Sequence, residues 1–184
     1  MFLKPKDSRQ RYTKQCLEDA FIQALETKPV SAITVSELSN ESGISRKTFY
    51  KYYSDPFALL SALQEDLFLE LKEELKSLPE NIFDITPTVI EFCEKHRTLV
   101  RSIFENQSQG GFNDKTTRHL YNTYHENWEQ ANPKMTKKDV EFLFQYVVSG
   151  LIGIIRHWLI NNPKLSTTDL IQHADYLMKL STPK

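Results

Sequence analysis

The sequence predicts an all-α protein of about nine helices. Three observations lead there. Apolar residues recur at three- and four-residue steps through most of the 184 residues. Proline, glycine and asparagine fall where those runs stop, as helix ends require. Near the N-terminus, two short helical patterns joined by a glycine-containing turn form a helix-turn-helix. The domains expected are a helix-turn-helix unit over residues 1–54 and a larger helical unit over 55–184.

The first helix is expected from Asp7 or Ser8, with Leu17, Ala20, Phe21, Ala24 and Leu25 on one stripe and Lys28-Pro29 as its stop. Ahead of it, Lys4, Lys6, Arg9 and Arg11 make a loose cationic arm or a disordered terminus. Thr34 caps the second helix, whose inner face holds Val35 and Leu38. Gly43 allows a tight turn, Ile44 supplies an apolar plug, and Ser45 caps the third helix. There Phe49 and Tyr53, four apart, form the inner face.

The outer face of that third helix carries Arg46, Lys47, Thr48, Tyr50, Lys51 and Tyr52. Cations suit phosphate, while Arg, Lys, Thr and Tyr also reach base edges in a major groove wide enough for one helix. Tyr50 and Lys51 are read as phosphate contacts, and Arg46, Lys47 and Thr48 as nearer the bases. With Thr34, Ser45 and Tyr52 these make the candidate DNA-binding set. Charge agrees: residues 1–54 hold nine Lys/Arg against six Asp/Glu, although the whole chain carries only −1.

The run from Ile33 to Leu60, ITVSELSNESGISRKTFYKYYSDPFALL, resembles the DNA-binding domain of TetR/AcrR transcription regulators. Thr34, Val35, Leu38, Gly43, Ile44, Ser45, Thr48, Phe49, Tyr50, Tyr52, Tyr53, Leu59 and Leu60 stand at matching positions. The resemblance covers about the first third of the chain. It implies a cytoplasmic, homodimeric regulator of double-stranded operator DNA, most often a repressor released by a small-molecule effector. An activator, or a regulator controlled by a protein partner on the C-terminal bundle, is the alternative. Two positions depart from the family: Lys47 stands where a small residue is common, and Asp55-Pro56 replaces the commoner lysine-glutamate.

Asp55 and Pro56 read as N-cap and first helical residue of a long fourth helix. It carries Leu60, Leu63, Leu67, Leu71, Leu75 and Leu78 until Pro79 and a break over residues 80–86. In the resembled family such a helix transmits ligand state to the recognition helices. Pro87 opens a helix with Val89, Ile90, Phe92 and Cys93. After a bend near His96, residues 98–106 present Leu99, Val100, Ile103 and Phe104. Residues 107–113 form a turn, and Asp114 to Gln130 a helix with Leu120, Tyr121, Tyr124 and Trp128. Phe68, Phe92, Phe104, Tyr121, Tyr124, His125 and Trp128 are the candidates for ligand contact, although aromatics at helical spacing are more often core.

Thr136 and Asp139 cap the eighth helix. Val140, Phe144, Val147, Leu151, Ile154 and Trp158 alternate steps of four and three along it. Ser149, Gly150 and Gly153 lie on a second face, where helical glycines need close approach of another backbone to offset their cost. Asn161, Asn162 and Pro163 end it. Ser166 and Asp169 cap the ninth helix, with Leu170, Ile171, Ala174, Leu177 and Met178 on its stripe. The resemblance implies a four-helix dimer interface from these two helices, with Phe144, Val147, Gly150, Leu151, Gly153, Ile154, Trp158, Leu170, Ile171, Ala174, Leu177 and Met178 as candidates; burial of the two helices on one another is the alternative.

No phosphate loop, nucleophile elbow or metal-spaced His/Cys set is evident, so no enzyme, cofactor or metal is expected. Cys93 and His96, three apart, lack a third ligand. Cys16 and Cys93 read as apolar fillers rather than a disulfide. The longest apolar run, Val147 to Ile155, is broken by Ser149 and ended by Arg156-His157, so neither signal peptide nor membrane span is expected.

Overall fold

A computed structural model describes residues 5–76, 84–106, 111–131, 133–161 and 164–181. The described residues form nine α-helices and one 3₁₀ turn, and no strand. The helices are α1 (Pro5–Leu25), α2 (Val35–Ser42), α3 (Arg46–Tyr52), α4 (Pro56–Leu75), α5 (Thr86–Lys95), α6 (Arg97–Glu105), α7 (Phe112–Ala131), α8 (Lys137–Asn161) and α9 (Thr167–Ser181). The 3₁₀ turn, Val30–Ala32, follows α1 and buries Val30.

The chain divides into two compact units, Met1–Asp66 and Leu67–Lys184, so α4 runs through the division that the sequence places just before that helix. In the first unit α2 packs on both α1 and α3. Leu17, Phe21, Leu25, Leu38, Phe49, Tyr53 and Leu59 are buried there. Helix α1 starts at Pro5, earlier than expected, so Lys6, Arg9 and Arg11 are helical rather than a loose arm. Proline suits the first helical position and no breaker follows until Lys28-Pro29. Lys4 lies outside the described residues.

In the second unit α8 is central, packing on α6, α7 and α9, while α5 packs on α6 and α9. Thr136 and Asp139 cap α8 reciprocally: Thr136 N donates to the carboxylate at 3.0 Å, and Thr136 Oγ1 accepts from Asp139 N at 3.2 Å. Ser166 Oγ likewise accepts from Asp169 N at 3.1 Å. Helix α7 begins at Phe112, so the end of the expected 107–113 turn is helical, with Phe112 buried. Residues 107–110, Leu78 and Pro79 lie outside the described residues. Helix α8 is long and apolar enough to cross a membrane by length and composition alone. Yet Val140, Phe144, Val147, Val148, Leu151, Ile155, Trp158 and Leu159 are buried in this unit.

Candidate nucleic-acid interface

Local chemistry builds the helix-turn-helix. Thr34 Oγ1 accepts the α2 amide of Glu37 at 3.2 Å, and Ser45 Oγ accepts the α3 amide of Thr48 at the same distance. Each satisfies an amide that has no partner within its helix. Gly43 adopts φ +69°, the left-handed conformation that lets α2 end and the chain turn toward α3. Lys28 pairs with Glu37, tying the end of α1 to α2 and holding the Glu37 carboxyl below its ordinary range.

Phe49 is fully buried and Tyr53 nearly so, which fixes the face α3 turns away from the unit. The Tyr53 hydroxyl donates to Glu18 Oε1 at 3.0 Å, anchoring the end of α3 to α1. Burial, then the Glu18 carboxylate, push that phenol well above its ordinary value.

The candidate contacts divide by what their side chains already do. Thr34, Ser45, Arg46, Lys47, Tyr50 and Lys51 are exposed; Thr48 and Tyr52 are half-buried. Ser45 and Thr48 spend their hydroxyls on one another at 2.9 Å. Arg46 donates from its guanidinium to Ser36 Oγ on α2. Tyr50 is 59% exposed while its ring meets Phe49 edge-on at 5.7 Å. The ammonium of Lys51 lies 5.4 Å from the centre of the Tyr52 ring, and that of Lys14, on α1, lies 5.9 Å from it. Two cations from different helices thus share one ring. Sequence reasoning missed Lys14, which is exposed although helical spacing sets it near the stripe of Leu17 and Phe21, so periodicity gave no signal for it.

The aromatic candidates of the second unit are mostly packed. Phe92, Phe104, Tyr124 and Trp128 are buried, while Phe68, Tyr121 and His125 are half-buried. Tyr121 and His125 stack at 4.9 Å, and Phe144 meets Tyr121 at 5.2 Å and Trp128 at 5.6 Å. Phe68 lies edge-on to His119 at 6.0 Å, and Phe92 lies 4.6 Å from His96. A surface groove of about 380 Å³ between α7 and α8 is lined by Asp114, Thr117, Arg118, Tyr121, Glu141 and Gln145, of which only Tyr121 was a candidate. Among the described residues no cluster of three His, Cys, Asp or Glu could hold a metal ion. Cys93 is buried, and desolvation pushes its thiol up to about 12.

Of the interface candidates, Phe144, Val147, Leu151, Trp158, Leu170, Ala174 and Met178 are buried within the chain. Trp158 is held there by its Nε1–H, which donates to Leu165 O at 2.9 Å, and by the Arg97 guanidinium 4.3 Å above its ring. Ile154 and Ile171 are half-buried, and Gly150, Gly153 and Leu177 are exposed. The exposed face of α8 runs through Phe142, Tyr146, Gly150, Gly153 and His157, and that of α9 through His173, Tyr176, Leu177 and Leu180. Phe142, Tyr146, Tyr176 and Leu180 are each between 63% and 66% exposed. A largely apolar groove of about 360 Å³ lies between the two helices, with Gly150, Gly153, His157 and His173 in its lining. A Cβ added at Gly150 or Gly153 would meet nothing within 4 Å.

A TetR-type family model described as a transcriptional regulator C-terminal region matches residues 80–180. No curated protein matches. Solved structures do. A TetR transcriptional regulator from Streptococcus agalactiae is 23% identical with a TM-score of 0.68, covering 94% of this chain and 97% of that one. NalD, the secondary repressor of the MexAB-OprM multidrug efflux pump in Pseudomonas aeruginosa, is 16% identical with a TM-score of 0.67, covering 96% and 97%. The dihydroxyacetone kinase operon activator DhaS is 17% identical with a TM-score of 0.64, covering 91% and 94%.

Proposed function

The chain belongs to the TetR family of transcriptional regulators, and on that premise we propose that it is a homodimer that binds a palindromic operator through α3 of each subunit and is released by a small-molecule effector. The observation that carries this reading is the exposed ridge of Lys47, Tyr50 and Lys51, displayed on a helix whose opposite side is locked down by Phe49 and Tyr53. A rigid cationic rod of this width suits the major groove, and two of them one helical repeat apart, roughly 34 Å, suit an inverted repeat.

The second subunit is assigned to the exposed face of α8 and α9. Phe142, Tyr146, Tyr176, Leu177 and Leu180 leave a large apolar patch in water, which a monomer rarely tolerates. Each helical glycine costs about 1 kcal/mol relative to alanine, and among the described residues no neighbour lies within 4 Å of a Cβ built at Gly150 or Gly153. Close approach of a partner helix offsets that cost.

The groove of about 380 Å³ between α7 and α8 falls within the size range of small-ligand sites, roughly 300–1,000 Å³, whereas the groove of about 360 Å³ lies on the face given to the second subunit. The sign of regulation is a separate matter, because NalD is named a repressor and DhaS an activator. Repression is the reading adopted, with activation as its rival. In either role the protein acts in the cytoplasm, where its operator lies.

Selection of binding sites from random duplex DNA tests the reading. Enrichment of an inverted repeat by the purified dimer is the expected result. Recovery of unrelated sequences at low ionic strength would overturn it. Transcription of a template carrying the selected site then separates repression from activation.

A further inference from the structure

Resting on that operator-binding reading, we propose that Lys47 is the base-reading residue of α3, and that each operator half-site presents it with a guanine. At 100° per residue, Lys47 lies about 200° around the helix from the buried Phe49, so it points directly away from the unit. It also sits in the first turn, the part of a recognition helix that meets base edges when the helix enters the major groove.

Its neighbours are committed elsewhere. Arg46 donates to Ser36 on α2. Thr48 closes the α3 cap with Ser45 at 2.9 Å. Lys51 follows one turn later on the same ridge, but its ammonium lies over the Tyr52 ring, which the ammonium of Lys14 also approaches. Two cations gathered from α1 and α3 over one ring make a seat for a phosphate, which carries no sequence information. Lys47 is exposed and, among the described residues, has no hydrogen bond or ion pair to break before it binds.

The chemistry then selects the base. An ammonium offers only donors, and of the four bases seen from the major groove guanine alone presents two adjacent acceptors, O6 and N7. Adenine sets a donor beside N7, cytosine offers a donor, and thymine has one acceptor next to a methyl group. A small residue at this position would leave that edge unread.

The test is site selection from random DNA with the wild-type dimer, Lys47→Ala and Lys51→Ala, followed by titration of the wild-type consensus. The wild type should enrich an inverted repeat with one guanine per half-site that Lys47→Ala no longer prefers, and Lys47→Ala should bind the consensus about ten-fold more weakly or worse. Replacing that guanine by 7-deazaguanine should weaken the wild type and leave Lys47→Ala unaffected. Lys51→Ala should lose affinity with the consensus unchanged. If Lys47→Ala enriches the same sequence as the wild type, Lys47 is only a phosphate contact and the assignment falls while operator binding stands. If the wild type enriches no inverted repeat, both readings fall.

Discussion

The hydroxyl of Tyr53 donates to Glu18 Oε1 at 3.0 Å, joining the residue that closes α3 to the middle of α1. Both partners are at least half-buried, so the bond fixes how the recognition helix is presented as well as adding stability. Tyr53→Phe keeps the ring and removes the bond, and should cost about 1 to 2 kcal/mol in urea unfolding of the first unit. The pH dependence follows from the raised phenol: burial and Glu18 disfavour its ionised form in the folded state. The unfolded phenol ionises near its ordinary value of 10.0, so this contribution is intact below pH 10 and is lost progressively above it. Alkaline unfolding curves should therefore be flatter for Tyr53→Phe than for the wild type.

A second polar contact stabilises the C-terminal half of α4. Glu70 accepts from Lys95 at 2.7 Å and from His96 at 3.2 Å, and Lys95 also reaches Glu74 at 3.2 Å. The Lys95 hydrogen bond, then the charges of His96 and Lys95, hold the Glu70 carboxyl below its ordinary value of 4.5. A depressed carboxyl contributes stability above that value and loses it as the pH falls through the folded pKa. Glu70 is 42% exposed on its side chain, so solvent screens the pair and Glu70→Gln should cost only about 0.5 to 1 kcal/mol at pH 7. Below pH 4.5 the two proteins should converge in thermal melts, because the wild-type carboxylate is then being neutralised.

Local signals were legible in the sequence and a choice between two similar faces was not. Thr34, Ser45, Asp55, Thr136 and Ser166 act through amides three residues on, so residue type and spacing alone locate their helices. The burial of Phe49 and Tyr53, and hence the outward face of α3, came from the same spacing rule. Helix α8 is different because it is apolar on two sides. Its steps of four and three identify a seam from Val140 to Trp158, but periodicity does not say whether the seam meets the chain's own helices or another molecule. The structure buries that seam, with Ile154 only half-buried, and leaves Phe142 and Tyr146 outside. The turn at Val30–Ala32 is too short for any periodic signal, and the early start of α1 follows from Pro5, whose helix-starting role the cationic residues around it obscured.

The exposed face of α8 and α9 gives a prediction about assembly. Tyr146 is 66% exposed and a Cβ at Gly153 meets nothing, so neither Tyr146→Glu nor Gly153→Leu should disturb the folded chain. Placed against a second copy, the first buries a charge and the second blocks helix approach. Sedimentation should show a dimer for the wild type and a monomer for both variants, with circular dichroism unchanged. A dimer that survives both substitutions would move the interface elsewhere.

Lys51 and Lys14, whose ammonium groups lie 5.4 and 5.9 Å from the centre of the Tyr52 ring, predict how binding responds to salt. A cation that neutralises a phosphate releases condensed counterions, so the logarithm of affinity falls with the logarithm of salt by about 0.9 per contact. Lys51→Ala should weaken binding to any duplex and make that slope shallower by about one unit per subunit. Lys14→Ala should do the same if both ammonium groups reach phosphate. Because the two share one ring, the double variant should lose less than the sum of the single losses if they seat one phosphate, and the full sum if they seat two. Fluorescence anisotropy from low to moderate salt measures all four slopes. An unchanged slope in Lys51→Ala would remove that residue from the phosphate contacts and leave Lys14 to account for the positive end of the interface.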